Sequence, residues 1–121
     1  MPYLNDRVYD SGLSVLDTEA THIHITSSEA ATWANIATYT LGNAAVSIGS
    51  PAARTPNGRK VTVAAVSGAS VSGTGTAAYY AIVDTTNTRL LAAAPLSSSQ
   101  AVTSGNTWST AAFDIGIPAP T

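Results

Sequence analysis

Residues 75–117 read GTAAYYAIVDTTNTRLLAAAPLSSSQAVTSGNTWSTAAFDIGI, and the fold is decided there. Ala77 to Val83 is apolar at both parities, the pattern of a strand covered on both faces. Asp84 ends the run, and Thr85-Thr86-Asn87-Thr88 supplies turn chemistry, with Asn87 best suited to a left-handed backbone conformation. A second apolar run returns from Arg89 to Ala94 and stops at Pro95. These features predict a β-hairpin with a four-residue loop, set in the middle of a sheet. Ala112 to Ile117 alternates with period two, which puts Phe113, Ile115 and Ile117 on one face of a last strand.

Outside this unit the composition sets the terms. The chain has 121 residues, enough for one domain. Ser, Thr and Ala account for 53 of them and the large apolar side chains for only 32, so the core is lean and its stability margin narrow. Charged residues make up 10% and the net charge is −2, which provides no basic field for nucleic acid. Cysteine is absent, which removes disulfides, thiolate nucleophiles and zinc-thiolate sites together. No apolar run has the length of a membrane span, and Met1-Pro2-Tyr3 does not open a signal peptide. The expectation is a soluble chain kept inside the cell until assembled, with neither nucleic acid nor membrane as partner.

Charge is unevenly placed. Residues 1–29 carry five acids (Asp6, Asp10, Asp17, Glu19, Glu29) against Arg7, while Arg54, Arg59, Lys60 and Arg89 face only Asp84 and Asp114 in the remainder. Opposed charge of this kind either steers a head-to-tail contact between subunits, through Arg54, Arg59 and Lys60, or solvates a helix face.

The N-terminal stretch reads as a helix capped by Asn5 and running to about Leu16, with Leu4 and Tyr9 placed to form a hydrophobic staple. Leu4, Val8, Gly12, Val15 and Leu16 share one side, and Gly12 weakens the helix enough that it needs something to dock on. Residues 1–19 are therefore expected to be a docking arm, with 20–121 a self-sufficient β-sandwich that keeps its sheets in a chain starting at Ala20. Thr21 to Thr26 alternates as a strand with Ile23 and Ile25 inward and His22 and His24 outward. Thr26-Ser27-Ser28-Glu29 matches a capping box ahead of two helical turns or a loop that tucks Trp33 and Ile36 onto the sheet. Tyr39 to Gly42 closes that segment. Val46 to Gly49 reads as a short strand, Asn57-Gly58 as a turn, and Arg59 to Val66 as a strand whose basic start blunts a sheet edge. A short strand centred on Val71 follows between glycine-rich turns. Leu96 to Ser99 reads as a loop, and Ser104 to Thr107 as a turn.

Chemistry is sparse. The histidine pair would ligate a metal only with a third ligand such as Glu19 or Glu29, and is read as the polar face of a strand, so no metal or cofactor is assigned. No nucleophile elbow is present, Gly73-x-Gly75 lacks the lysine and helix of a phosphate loop, and Asp84 and Asp114 sit where structural acids lie. An enzyme is not expected.

The succession Gly58-Arg59-Lys60-Val61, Gly73-Thr74-Gly75-Thr76-Ala77, Tyr80-Ala81-Ile82-Val83-Asp84, Leu90-Leu91, Val102-Thr103-Ser104-Gly105-Asn106-Thr107 and Phe113-Asp114-Ile115 resembles small structural proteins of tailed bacteriophages. So does the opening Tyr3-Leu4-Asn5-Asp6 with Leu13-Ser14-Val15-Leu16. The resemblance spans about Tyr3 to Pro118 and implies an antiparallel β-sandwich, jelly-roll-like, with a short N-terminal helix. It further implies a virion protein, assembled in the host cytoplasm, that forms rings or trimers, and it carries no active-site residues. The expected role is capsid decoration (cement), bridging capsomers and binding the major capsid protein or other virion proteins. The expected interaction residues are Leu4, Val8, Val15, Leu16, Arg54, Arg59 and Lys60. A tail, neck or fibre-attachment protein is the alternative within the virion. A carbohydrate-binding module with Trp108, Tyr79 or Tyr80 as stacking platforms is the alternative outside it.

Overall fold

The computed structural model describes residues 5–55 and 57–118, and among these strands far outweigh helix. Helix α1 spans Asp6–Glu19, one turn longer than its pattern predicts. Asn5 caps it as expected, its side-chain oxygen accepting from the Arg7 N–H at 2.8 Å. The inward stripe is Tyr9, Leu13 and Leu16, spaced i, i+4, i+7, and all three are buried. Leu13 and Leu16 belong to the main core cluster with Ile23, Val61, Val63 and Ile82. The helix is thus built into the core and is not an arm standing off a finished sandwich. The division at residues 19 and 20 cuts through packed side chains.

The principal sheet has four antiparallel strands in the order β2-β1-β6-β7, where β1 is His22–Thr26, β2 Thr40–Ala45, β6 Gly75–Asp84 and β7 Arg89–Val102. Asp84 pairs with Arg89 across a four-residue loop, as read from the sequence. The left-handed residue of that loop is Thr88 (φ 49°), not Asn87. Asn87 is held instead by Asp84, which accepts from the Asn87 side-chain amide at 2.7 Å and from the backbone N–H groups of Thr86 and Asn87. Ala81, Ile82 and Val83 are all fully buried, so β6 is covered on both faces. Ile23, Ile25, Tyr80 and Ile82 face the main core. Ala81 and Val83 face a second, smaller cluster with Ala30 and Ile36.

That second face is roofed by α2, Trp33–Tyr39, which settles the open choice between helix and loop. Its cap is Thr32, whose hydroxyl accepts from the Asn35 N–H at 3.3 Å, and not the Thr26–Glu29 box. β1 runs on through Thr26, leaving its backbone in the ladder and unfit to start a helix. The sheet position of the hairpin also differs from the reading. β6 is central, but β7 lies at the edge, where Pro95 and its missing N–H are tolerated.

A second sheet has the order β3-β4-β9, with β3 Ala52–Ala53, β4 Arg59–Val63 and β9 Phe113–Ile117. Gly58 takes φ 87° at the predicted turn, and a Cβ there would collide with the Ile117 carbonyl oxygen. β4 is the central strand of this sheet, so its basic start does not blunt an edge. A third pair joins β5, Val66–Ser70, to β8, Thr107–Thr110. Val46 to Gly49 forms no strand; Ile48 makes a single bridge to Val63, and Val71 a single bridge to Gly42. The layers close on one core containing Ile23 and Ile25 of β1, Val61 and Val63 of β4, and Trp108 of β8. The result is a mainly β, sandwich-like fold of antiparallel sheets with two helices. Jelly-roll topology is a finer description than these three sheets carry.

Candidate functional site

The expected interaction residues separate into two groups. On α1, Leu16 is consumed by the core, Leu4 lies outside the described residues, and Val8 and Val15 point outward, 55% and 37% exposed. Gly12 falls between them on the same helix face, and its open Cβ position lies 3.8 Å from Cδ1 of Ile117 on β9. Among the described residues Val8, Val15 and Ile117 are the exposed large apolar side chains, and all lie on this one side. The stripe Val8, Gly12, Val15 was legible in the sequence. Ile117 joins it only because β9 ends beside α1.

The three basic residues are engaged within the chain. Arg59 makes a forked ion pair with Asp10 of α1, Nε to Oδ1 at 2.9 Å and Nη2 to Oδ2 at 3.2 Å. Lys60 Nζ donates to Asp114 Oδ2 at 2.9 Å, and the Thr62 hydroxyl donates to Asp114 Oδ1 at 2.7 Å. The hydroxyl first and the lysine second hold the Asp114 carboxyl below the usual carboxylate range. Arg54 Nη1 donates to the Asn57 carbonyl at 3.0 Å across the turn.

His22 and His24 are half-buried and do not face open solvent. They line a pocket of about 350 Å³ under α2 with Trp33, Ile36, Asn43 and Thr85. Thr40 Oγ1 lies within hydrogen-bond distance of His24 Nδ1, at 2.8 Å, and of the Gly42 carbonyl oxygen, at 3.3 Å. Burial first, then the neighbouring His22, lowers the His24 pKa and keeps the ring neutral. Glu19 is drawn away to Arg89, Nη1 to Oε1 at 3.2 Å. No group of three or more His, Asp or Glu side chains gathers among the described residues. The third ligand on which a metal reading depended is therefore not brought to the pair. Asp84 and Asp114 likewise do not meet as a catalytic couple. They stand in different sheets, each occupied by its own local donors.

Between the layers lies a cleft of about 490 Å³ that no sequence pattern announced. β6 and β7 pair Tyr79 with Pro95 and next Ala77 with Gln100. Ala78 alone thus opposes residues 96–99, and the ladder parts there. Beneath the gap Ile23, Ile25, Tyr80, Trp108 and Phe113 form the walls. The Tyr80 and Phe113 rings lie 4.7 Å apart at 45°. Trp108 is 5% exposed and donates Nε1–H to the Ser70 carbonyl at 3.2 Å, so it is a core side chain and offers no platform for a sugar. Tyr79 and Tyr80 are half-buried in the sheet.

No family model, characterised protein or solved structure matches this chain in the comparisons made.

Proposed function

We propose that this chain is a structural component of a tailed-bacteriophage virion, a capsid decoration protein that bridges neighbouring capsomers as a homo-oligomer, most simply a trimer. The sequence resemblance supports the class. The observation that carries the contact is the gathering of Val8, Val15 and Ile117 on one side, around Gly12. Because Arg59 and Lys60 are already paired within the chain, what this surface offers a capsid protein or a second copy is apolar area rather than charge. Small β-proteins of this build add buried area where a shell is weakest, at the joints between its subunits.

Quantitative mass spectrometry of purified particles tests the reading. Hundreds of copies per particle place the chain on the capsid, a few to a dozen place it in the neck, tail or fibre base, and none refutes the virion assignment. Val8→Asp with Val15→Asp is expected to strip the protein from particles while leaving its circular dichroism unchanged. Full occupancy by that double variant would move the contact off α1.

A further inference from the structure

We infer that the interlayer cleft is a binding site for a small neutral molecule with a ring-sized apolar body and one hydrogen-bond acceptor. This is independent of virion membership. About 490 Å³ lies within the range of small-molecule sites and exceeds the roughly 150 Å³ that holds benzene in an engineered apolar cavity. The space exists because small residues stand where larger ones would fill it. Ala77 is buried on the floor, and Ala94 and Ala112 stand at the sides. The parting of β6 from β7 at residues 96–99 opens a way in from the edge of the sheet.

The chemistry of the walls selects the ligand. Ile23, Ile25, Trp108 and Phe113 offer apolar and aromatic surface. Asp114 is the one charged residue in the lining, and its oxygens are taken by Thr62 and Lys60, so the cleft holds no free charge to match a charged ligand. The Tyr80 hydroxyl forms no hydrogen bond with the described residues, and with Ser98, Gln100, Ser109 and Thr110 it makes up the uncharged polar part of the lining. Burial raises the Tyr80 pKa, so the phenol remains a neutral donor at physiological pH. A donor without an internal partner, held in place by its ring contact with Phe113, suits one acceptor oxygen on a ligand.

The test uses the whole chain with two probes of similar shape, acetophenone and ethylbenzene, followed by amide, methyl and indole chemical shifts. Both are expected to give saturable shifts at Ile23, Ile25 and the Trp108 indole N–H. In Tyr80→Phe, acetophenone is expected to bind about five-fold more weakly, the size of one neutral hydrogen bond, while ethylbenzene binds as before. Ethylbenzene binding also shows that the variant is folded. Three results would each overturn the inference: no saturable shift at millimolar probe, shifts centred away from the cleft, or equal weakening of both probes by Tyr80→Phe.

Discussion

Leu13 and Val8 stand five residues apart on one helix and should respond to truncation in opposite ways. Leu13 is 2% exposed and packs in the main core, whereas Val8 is 55% exposed. Leu13→Ala removes three carbons, about 2.4 kcal/mol of transfer free energy at about 0.8 kcal/mol per methylene. The hole left between α1 and the sheets adds a cavity contribution, which brings the expected loss to about 3 kcal/mol. With a urea m-value of about 1.5 kcal/mol/M, suited to a domain this small, the unfolding midpoint falls by about 2 M. Val8→Ala, by contrast, trades a β-branched residue for the best helix former at an exposed site, and its midpoint should move by less than about 0.5 kcal/mol in equivalent terms.

Urea titrations of the three chains, followed by circular dichroism and tryptophan fluorescence, provide the comparison. If Leu13→Ala costs less than about 1 kcal/mol, or Val8→Ala costs as much, α1 is not part of the core and the sequence reading of a separate arm stands. The same geometry reverses the expectation for a chain that starts at Ala20. It loses Tyr9, Leu13, Leu16 and the Asp10 partner of Arg59 together, and should fail to unfold cooperatively.

Gly42→Ala should cost about 2–3 kcal/mol in the same titration, since its Cβ would lie 2.7 Å from the Ser70 carbonyl oxygen and 2.8 Å from the Trp108 indole nitrogen that donates to it. Thr88→Gly should stabilise by about 0.5–1 kcal/mol by relieving a β-branched residue of its left-handed conformation, and a loss of stability would refute that. Acid should act in two stages. His24, whose folded pKa lies below the ordinary 6.5, has stability to lose as pH falls from about 6.5, because the unfolded chain takes up the proton first. Asp84, depressed chiefly by the Asn87 side-chain hydrogen bond, and Asp114, depressed chiefly by the Thr62 hydroxyl, hold theirs until pH falls below about 4. His24→Gln should remove the first stage and leave the second in melts taken across pH. Finally, raising salt from about 0.05 to 0.5 M should change particle occupancy or self-association less than ten-fold, because an apolar contact is not screened.

What the sequence showed well was periodicity without interruption. The doubly apolar Ala81-Ile82-Val83, the alternation that turns Phe113 and Ile115 to the core, and the Asn5 cap all came through because local pattern and tertiary demand agree there. It misled where an irregularity shifted the parity. The bulge between Ala77 and Tyr79 puts Ala77 on the same face as Tyr80, and β7 runs through Pro95 and the serines to Val102, where pattern suggested a loop. β2 was missed because Thr40-Leu41-Gly42-Asn43 has turn composition, and only pairing with β1 makes it a strand. On α1 two stripes, 8-12-15 and 9-13-16, have equal claim by spacing. Which one faced inward was decided by the sheet beneath, and no residue of the helix itself reveals that. The cleft was invisible for a related reason, since it arises where a ladder parts between residues distant in sequence.

The charge asymmetry has a consequence for assembly. The acids of the first quarter suggested a head-to-tail attraction toward the cations of the rest, but in the folded chain that attraction is spent internally. Asp10 meets Arg59 and Glu19 meets Arg89, so both turns of α1 that carry these acids are tied to strands of different sheets. The two pairs differ in weight. Arg59 and Asp10 are partly shielded and forked, which makes the pair directional, while Arg89 is more than half exposed and its pair contributes little beyond about 0.5 kcal/mol. The ion pairs therefore act mainly on orientation: they reinforce the roll of α1 that the burial of Tyr9, Leu13 and Leu16 against the sheets sets. Val8 and Val15 are left outward by the same rotation. The docking stripe of the proposed virion protein is thus a by-product of how the helix is anchored.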